Sequence, residues 1–80
     1  MITALRKGAM DLISYEPLWK TMEQKGITTY ALINKHGFNP RTINNLKHNK
    51  SITMFTMEKL CIILECQADG IVRFLPDKEN

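Results

Sequence analysis

The stretch Gly37-Phe38-Asn39-Pro40-Arg41-Thr42-Ile43-Asn44-Asn45-Leu46-Lys47-His48 decides the fold. Gly37 suits the left-handed residue that ends a helix, Asn39 carries a side-chain oxygen able to cap a new one, and Pro40 fits its first turn, where a missing N–H costs nothing. Two helices joined by a tight turn follow. Counted from Pro40 at about 100° per residue, Thr42, Leu46 and Ile43 fall at about 200° to 300°, whereas Arg41, Asn44, Asn45 and His48 fall at about 40° to 140°. One face is apolar and the other is a surface of hydrogen-bonding groups. Arginine matches the paired acceptors of a guanine edge and asparagine the donor and acceptor of an adenine edge, so the outward face has the chemistry of major-groove reading.

Working upstream, Thr28 is a credible N-cap for a short helix that turns Leu32, Ile33 and the stem of His36 to one side. Before it, Pro17 opens a helix over 17–25 whose apolar face is Leu18, Trp19 and Met22, and Gly26 ends it. Downstream, Asn49, Lys50 and Ser51 make a polar loop. Thr53 then caps a helix over 54–64 with Met54, Met57, Leu60, Cys61 and Leu64 as its core stripe. Asp69 is read as the cap of a last short turn running through Ile71 and Val72. The predicted fold is all-α, a compact bundle of about five helices around a central helix-turn-helix. Only 12–15 and 71–75 have strand character, and a short pairing between them is expected. Residues 1–12 read as a loose extension, in which Met10 is a second plausible initiator, 13–76 as the domain, and 77–80 as a polar tail.

Eighty residues, 44% hydrophobic and 24% charged, predict one small globular domain with little apolar material to spare for an enclosed active site. Eleven Lys and Arg against eight Asp and Glu are a modest excess, but its location is informative. Residues 20–50 hold six cations, Lys20, Lys25, Lys35, Arg41, Lys47 and Lys50, against Glu23 alone. The segment from 51 onward is net acidic and residues 1–19 balance. The basic excess therefore coincides with the helix-turn-helix, where cations at helix ends and loops suit phosphates.

The longest apolar run, Leu60-Cys61-Ile62-Ile63-Leu64, is far short of a membrane span, and the N-terminus lacks the order of charge and apolar core that marks a secretory signal. A cytoplasmic chain with reduced thiols is expected. Five positions along a helix turn by about 500°, which predicts that Cys61 and Cys66 lie on nearly opposite sides and do not bridge. His36, His48, Cys61 and Cys66 match no compact zinc spacing, so no metal or other cofactor is expected. Ser14 and Ser51 stand in different contexts, no nucleophile has an adjacent base, and no carboxylate pair can be assembled, so the chain does not read as an enzyme.

At these residues the chain resembles the Cro and phage-repressor type of helix-turn-helix regulator, the xenobiotic-response-element family. The resemblance runs from about residue 13 to 76. It is carried by Ile13-Ser14-Tyr15-Glu16-Pro17-Leu18-Trp19-Lys20, by Leu32 and Gly37 with Ile43 and Leu46 at the motif's core spacing, by Leu60-Cys61-Ile62-Ile63-Leu64-Glu65-Cys66, and by the 69–74 ending. It implies a dimeric repressor bound to double-stranded operator DNA. It also implies phosphate contact by Thr28 and Thr29, base-facing positions at Arg41, Asn44, Asn45 and His48, and backbone-facing positions at Asn39 and Pro40, to which the local cations and amide of Lys47, Asn49 and Lys50 are added. Two departures stand out. Ile33 replaces the alanine usual four residues before the turn glycine, and Pro40 stands where many members place a base-contacting polar side chain, which shifts readout to Arg41, Asn44 and Asn45.

The helix over 54–64 has a second apolar pair, Phe55 and Ile62, at about 100° and 80° when its core lies near 300°. A homodimer surface is one reading of this pair, and a face covered by a terminal segment of the same chain is the other. The rival function is an antitoxin or other protein-binding module that uses the bundle to hold a partner protein. Salt discriminates the two, because phosphate neutralisation gives a log-log slope of about −0.9 per contact and an apolar protein interface barely responds.

Overall fold

A computed structural model describes residues 12–75, so the readings made for the loose extension before residue 12 and for the polar tail lie outside the described residues. The element order is β1 (Ile13–Ser14), α1 (Glu16–Lys25), α2 (Thr29–Asn34), α3 (Pro40–Lys47), α4 (Met54–Leu64), a single 3-10 turn (Ala68–Gly70) and β2 (Arg73–Phe74). Four α-helices, not five, make up the described chain. The expected last helix is only the three-residue 3-10 turn. Gln67 stands at its start with no side-chain cap bond, and Asp69 lies inside it rather than capping it. The chain there is recruited inward, since Ile71 is fully buried and leaves no room for a longer helix.

Three of the four α-helices, α2, α3 and α4, are capped as their sequence dictates. Thr28 Oγ1 accepts from the Ala31 N–H at 3.1 Å, Asn39 Oδ1 from the Arg41 N–H at 2.8 Å, and Thr53 Oγ1 from the Thr56 N–H at 3.1 Å. Pro17 falls one residue into α1, which opens at Glu16. The helix ends share a device. After α1, α3 and α4 one left-handed residue, Gly26, Asn49 or Glu65, turns the chain back, and the next N–H returns to the helix: Ile27 to Met22 O at 2.9 Å, Lys50 to Asn45 O at 2.8 Å, Cys66 to Cys61 O at 3.1 Å. These are Schellman closures, which satisfy the carbonyls a helix leaves unpaired. Gly37, with φ of 72°, makes the turn between α2 and α3 and lets the Phe38 N–H donate to Leu32 O at 2.9 Å.

The core comprises Tyr15, Leu18, Met22, Leu32, Phe38, Ile43, Leu46, Leu60, Leu64 and Ile71. Every helix thus contributes its apolar stripe, with Met57 and Cys61 half-buried at the edge. Met54 departs from the expected stripe of α4 and is 75% exposed. It occupies the first position of the helix, beyond the stretch that packs. The anticipated pairing of the two strands is present: Ile13 opposes Phe74 and Ser14 opposes Arg73 in antiparallel register, with the Leu75 N–H reaching Leu12 O at 2.6 Å. Arg73 Nη2 also meets Glu16 Oε1 at 2.6 Å.

The cysteine geometry differs from the sequence expectation. Continuing 100° per residue past Leu64 would separate the two residues, but the left-handed Glu65, φ 52° and ψ 53°, reverses the chain and brings Cys66 back beside Cys61, its N–H donating to Cys61 O at 3.1 Å, with both thiols free. Burial first, and Cys61 next, push the Cys66 thiol above its ordinary range.

Candidate nucleic-acid interface

The apolar side of α3, Ile43 and Leu46, is buried in the core. That anchoring turns Asn39, Pro40, Arg41, Asn44, Lys47, His48, Asn49 and Lys50 to solvent. Asn45 is the half-buried member of the predicted base-facing set. It stands at the margin of the polar face and, with Thr42, lines an open cleft of about 280 Å³ that continues along Ser51, Ile52, Thr53 and Thr56 toward the start of α4. Thr28 is exposed and Thr29 half-buried at the start of α2.

Several of these groups are already committed within the chain. Asn39 spends its carboxamide oxygen on the cap of α3. His48 folds back so that Nδ1 lies 2.9 Å from Asn44 O, and because a carbonyl can only accept, Nδ1 carries the hydrogen there and Nε2 is left for a ligand. Asn49 Oδ1 accepts the Tyr15 N–H at 3.1 Å, so its side chain is tied to the start of α1. Arg41, Asn44 and Lys50 make no side-chain hydrogen bond or ion pair among the described residues, which leaves their donors available to a ligand.

Electrostatics favour an anion on this side. Glu16 holds Arg73 at 2.6 Å and Lys20 at 3.8 Å, so the carboxylate at the start of α1 is already paired with cations. Lys47 in the last turn of α3 and Lys50 just beyond it place cations where the helix dipole is negative. The result is a hydrogen-bonding helix face with positive charge at its C-terminal end.

Two further residues matter to this site. Tyr15, only 2% exposed, donates its hydroxyl to Lys50 O at 2.7 Å while its N–H holds Asn49. It clamps both residues of the loop behind α3 from a position more than thirty residues upstream. Phe38 is buried inside the turn itself, with Lys59 Nζ lying 4.8 Å from its ring centroid. For Phe38 a signal was present, since the residue after a left-handed helix end commonly makes an apolar contact back to the helix. For Tyr15 there was none.

Two helices joined by a tight turn, the second buried on one side and polar on the other, define a helix-turn-helix DNA-binding domain. The chain belongs to the Cro/C1-type HTH DNA-binding domain family, whose model matches residues 17–77. Among solved structures it is similar to the crystal structure of the transcriptional regulator VanUg, with a TM-score of 0.74 and 25% identity over 81% of this chain and 87% of that chain. No curated protein matches it. No helix among the described residues is long and apolar enough to cross a membrane.

Proposed function

We propose that the chain is a cytoplasmic transcriptional repressor that binds operator DNA as a homodimer, each copy laying α3 in the major groove. Arg41, Asn44, Asn45 and His48 read base edges, while Thr28, Thr29, Asn39, Pro40, Lys47, Asn49 and Lys50 hold the phosphate backbone. The observation that carries this reading is the exposed polar face of α3, in which Arg41 and Asn44 have no side-chain partner among the described residues and stand beside Lys47 and Lys50. Phe55 and Ile62, 72% and 69% exposed and two turns apart on α4, supply the face on which a second copy docks. Two copies related by a two-fold axis reach half-sites about one helical turn apart, roughly 10 bp. Bound there, the dimer obstructs polymerase.

Selection of bound sites from random duplex DNA, followed by titration of the selected site over a salt series, tests the proposal. Arg41→Ala is expected to cost about 1 to 3 kcal/mol and to relax preference at one base pair, while Lys50→Ala weakens all sequences alike and lowers the salt slope by about one. An Arg41→Ala protein with unchanged affinity and unchanged base preference would remove α3 from the role of reader.

A further inference from the structure

The pair Cys61 and Cys66 has no part in the DNA-binding reading and stands on its own geometry. In a Schellman closure the third residue before the helix end and the second residue after it make a side-chain contact. At the end of α1 that register pairs Met22 with Ile27, where the Ile27 N–H donates to Met22 O at 2.9 Å and Ile27 packs against the core to which Met22 belongs. At the end of α4 it pairs two cysteines, with the Glu65 N–H donating to Ile62 O at 3.3 Å and the Cys66 N–H to Cys61 O at 3.1 Å. Gly70 backs Cys66. A Cβ placed on Gly70 would stand 3.1 Å from both Cβ and Sγ of Cys66, and the Thr21 hydroxyl holds the Gly70 carbonyl at 2.8 Å. Cys66 is thus walled on the Gly70 side. Both cysteines are half-buried, which admits a small reagent.

We propose that Cys61 and Cys66 form an oxidation site, a preorganised dithiol that a low-molecular-weight disulfide converts to an intramolecular Cys61–Cys66 bond. One thiolate attacks the reagent and expels a first small thiol, leaving a mixed disulfide on the protein. The second thiolate attacks the protein sulfur of that mixed disulfide and expels a second small thiol. Two electrons pass from the cysteine pair to the reagent, and the two cysteine protons are taken up by the two thiols released. The bond pins the last turn of α4 to the chain that leads into the 3-10 turn. Because burial and its neighbour hold Cys66 protonated, the reaction quickens as pH rises.

The full chain, equilibrated with graded mixtures of reduced and oxidised glutathione and quenched in acid, supplies the test. Trypsin cuts after Lys59 and Arg73, so one peptide carries both cysteines and an internal bond is read as the loss of a pair of hydrogens. Folded protein is expected to reach half-oxidation at an oxidant excess roughly tenfold or more below that needed in urea, because the turn holds the thiols together. Cys66→Ser serves as the control that yields only mixed disulfide. Equal oxidation of folded and unfolded chains overturns the proposal, as does a folded wild-type product that is a stable mixed disulfide or a disulfide between chains. The readout does not involve DNA, so it is independent of the proposed repressor role.

Discussion

Tyr15 fills the core with its ring and restrains the loop behind α3 with its hydroxyl and N–H, so one residue couples packing to the geometry of the loop that ends α3. Tyr15→Phe keeps the ring and deletes the bond to Lys50 O, which is expected to cost about 1 kcal/mol, with the carbonyl regaining water at the surface. The same substitution has a pH signature. Burial raises the Tyr15 phenol above its ordinary 10.0, so the fold favours the neutral form. That contribution is fully present below the unfolded value and is lost as pH rises from about 10 through the higher folded value. Urea unfolding at neutral and strongly alkaline pH should therefore show a shallower alkaline decline in Tyr15→Phe than in the parent. The outward face of α3 was legible because helical periodicity is local, and Arg41, Asn44 and His48 need only the buried Ile43 and Leu46 to orient them. The two hydrogen bonds that Tyr15 donates were not, because their acceptors lie on the far side of the whole helix-turn-helix in sequence.

The helix starts were written in the residues that perform them, and Thr28, Asn39 and Thr53 each cap as expected. The ends divide by residue type. Gly26 and Gly37 announce a left-handed backbone, whereas Asn49 and Glu65 adopt it without the residue that makes it cheap. That is why helical angles counted past Leu64 put the cysteines on opposite sides. It is also why Glu65 carries strain. Glu65→Gly, which keeps the turn and removes the Cβ conflict, should stabilise the protein by about 1 kcal/mol, measured by chemical denaturation. A loss of stability would mean that the Glu65 side chain contributes more than its backbone costs. The missing fifth helix has the opposite origin. Its residues carry an acidic cap signal, but the core takes Ile71 and leaves space for a 3-10 turn only.

Across the molecule, surfaces of different character sit on different helices. α3 offers polar groups and cations, and α4 offers Phe55 and Ile62. A homodimer through α4 leaves both copies of α3 free to meet DNA, so association and DNA reading do not compete for surface. Ile62→Arg places a charge in the proposed apolar contact, and sedimentation should show a mass reduced to that of one chain, with operator affinity reduced as well. Unchanged mass in that variant would sink the dimer through α4. The position of the pair opposite the core stripe was readable from periodicity, but the occupant of such a face is not encoded in the face itself.

The two-residue strands β1 and β2 add little contact area, yet they join the two ends of the described chain across all four helices. Closing so long a loop is slow relative to forming helices and their turns, so the pairing belongs after the folding barrier rather than before it. Ile13 is half-buried against the core and opposes Phe74, which makes it the residue to probe. In a stopped-flow denaturant series Ile13→Ala should unfold faster and refold at an unchanged rate, whereas slower refolding would place the strand in the nucleus. The small sheet then acts as a latch on lifetime: it governs how long a folded molecule persists and leaves the time taken to reach that state to the helices.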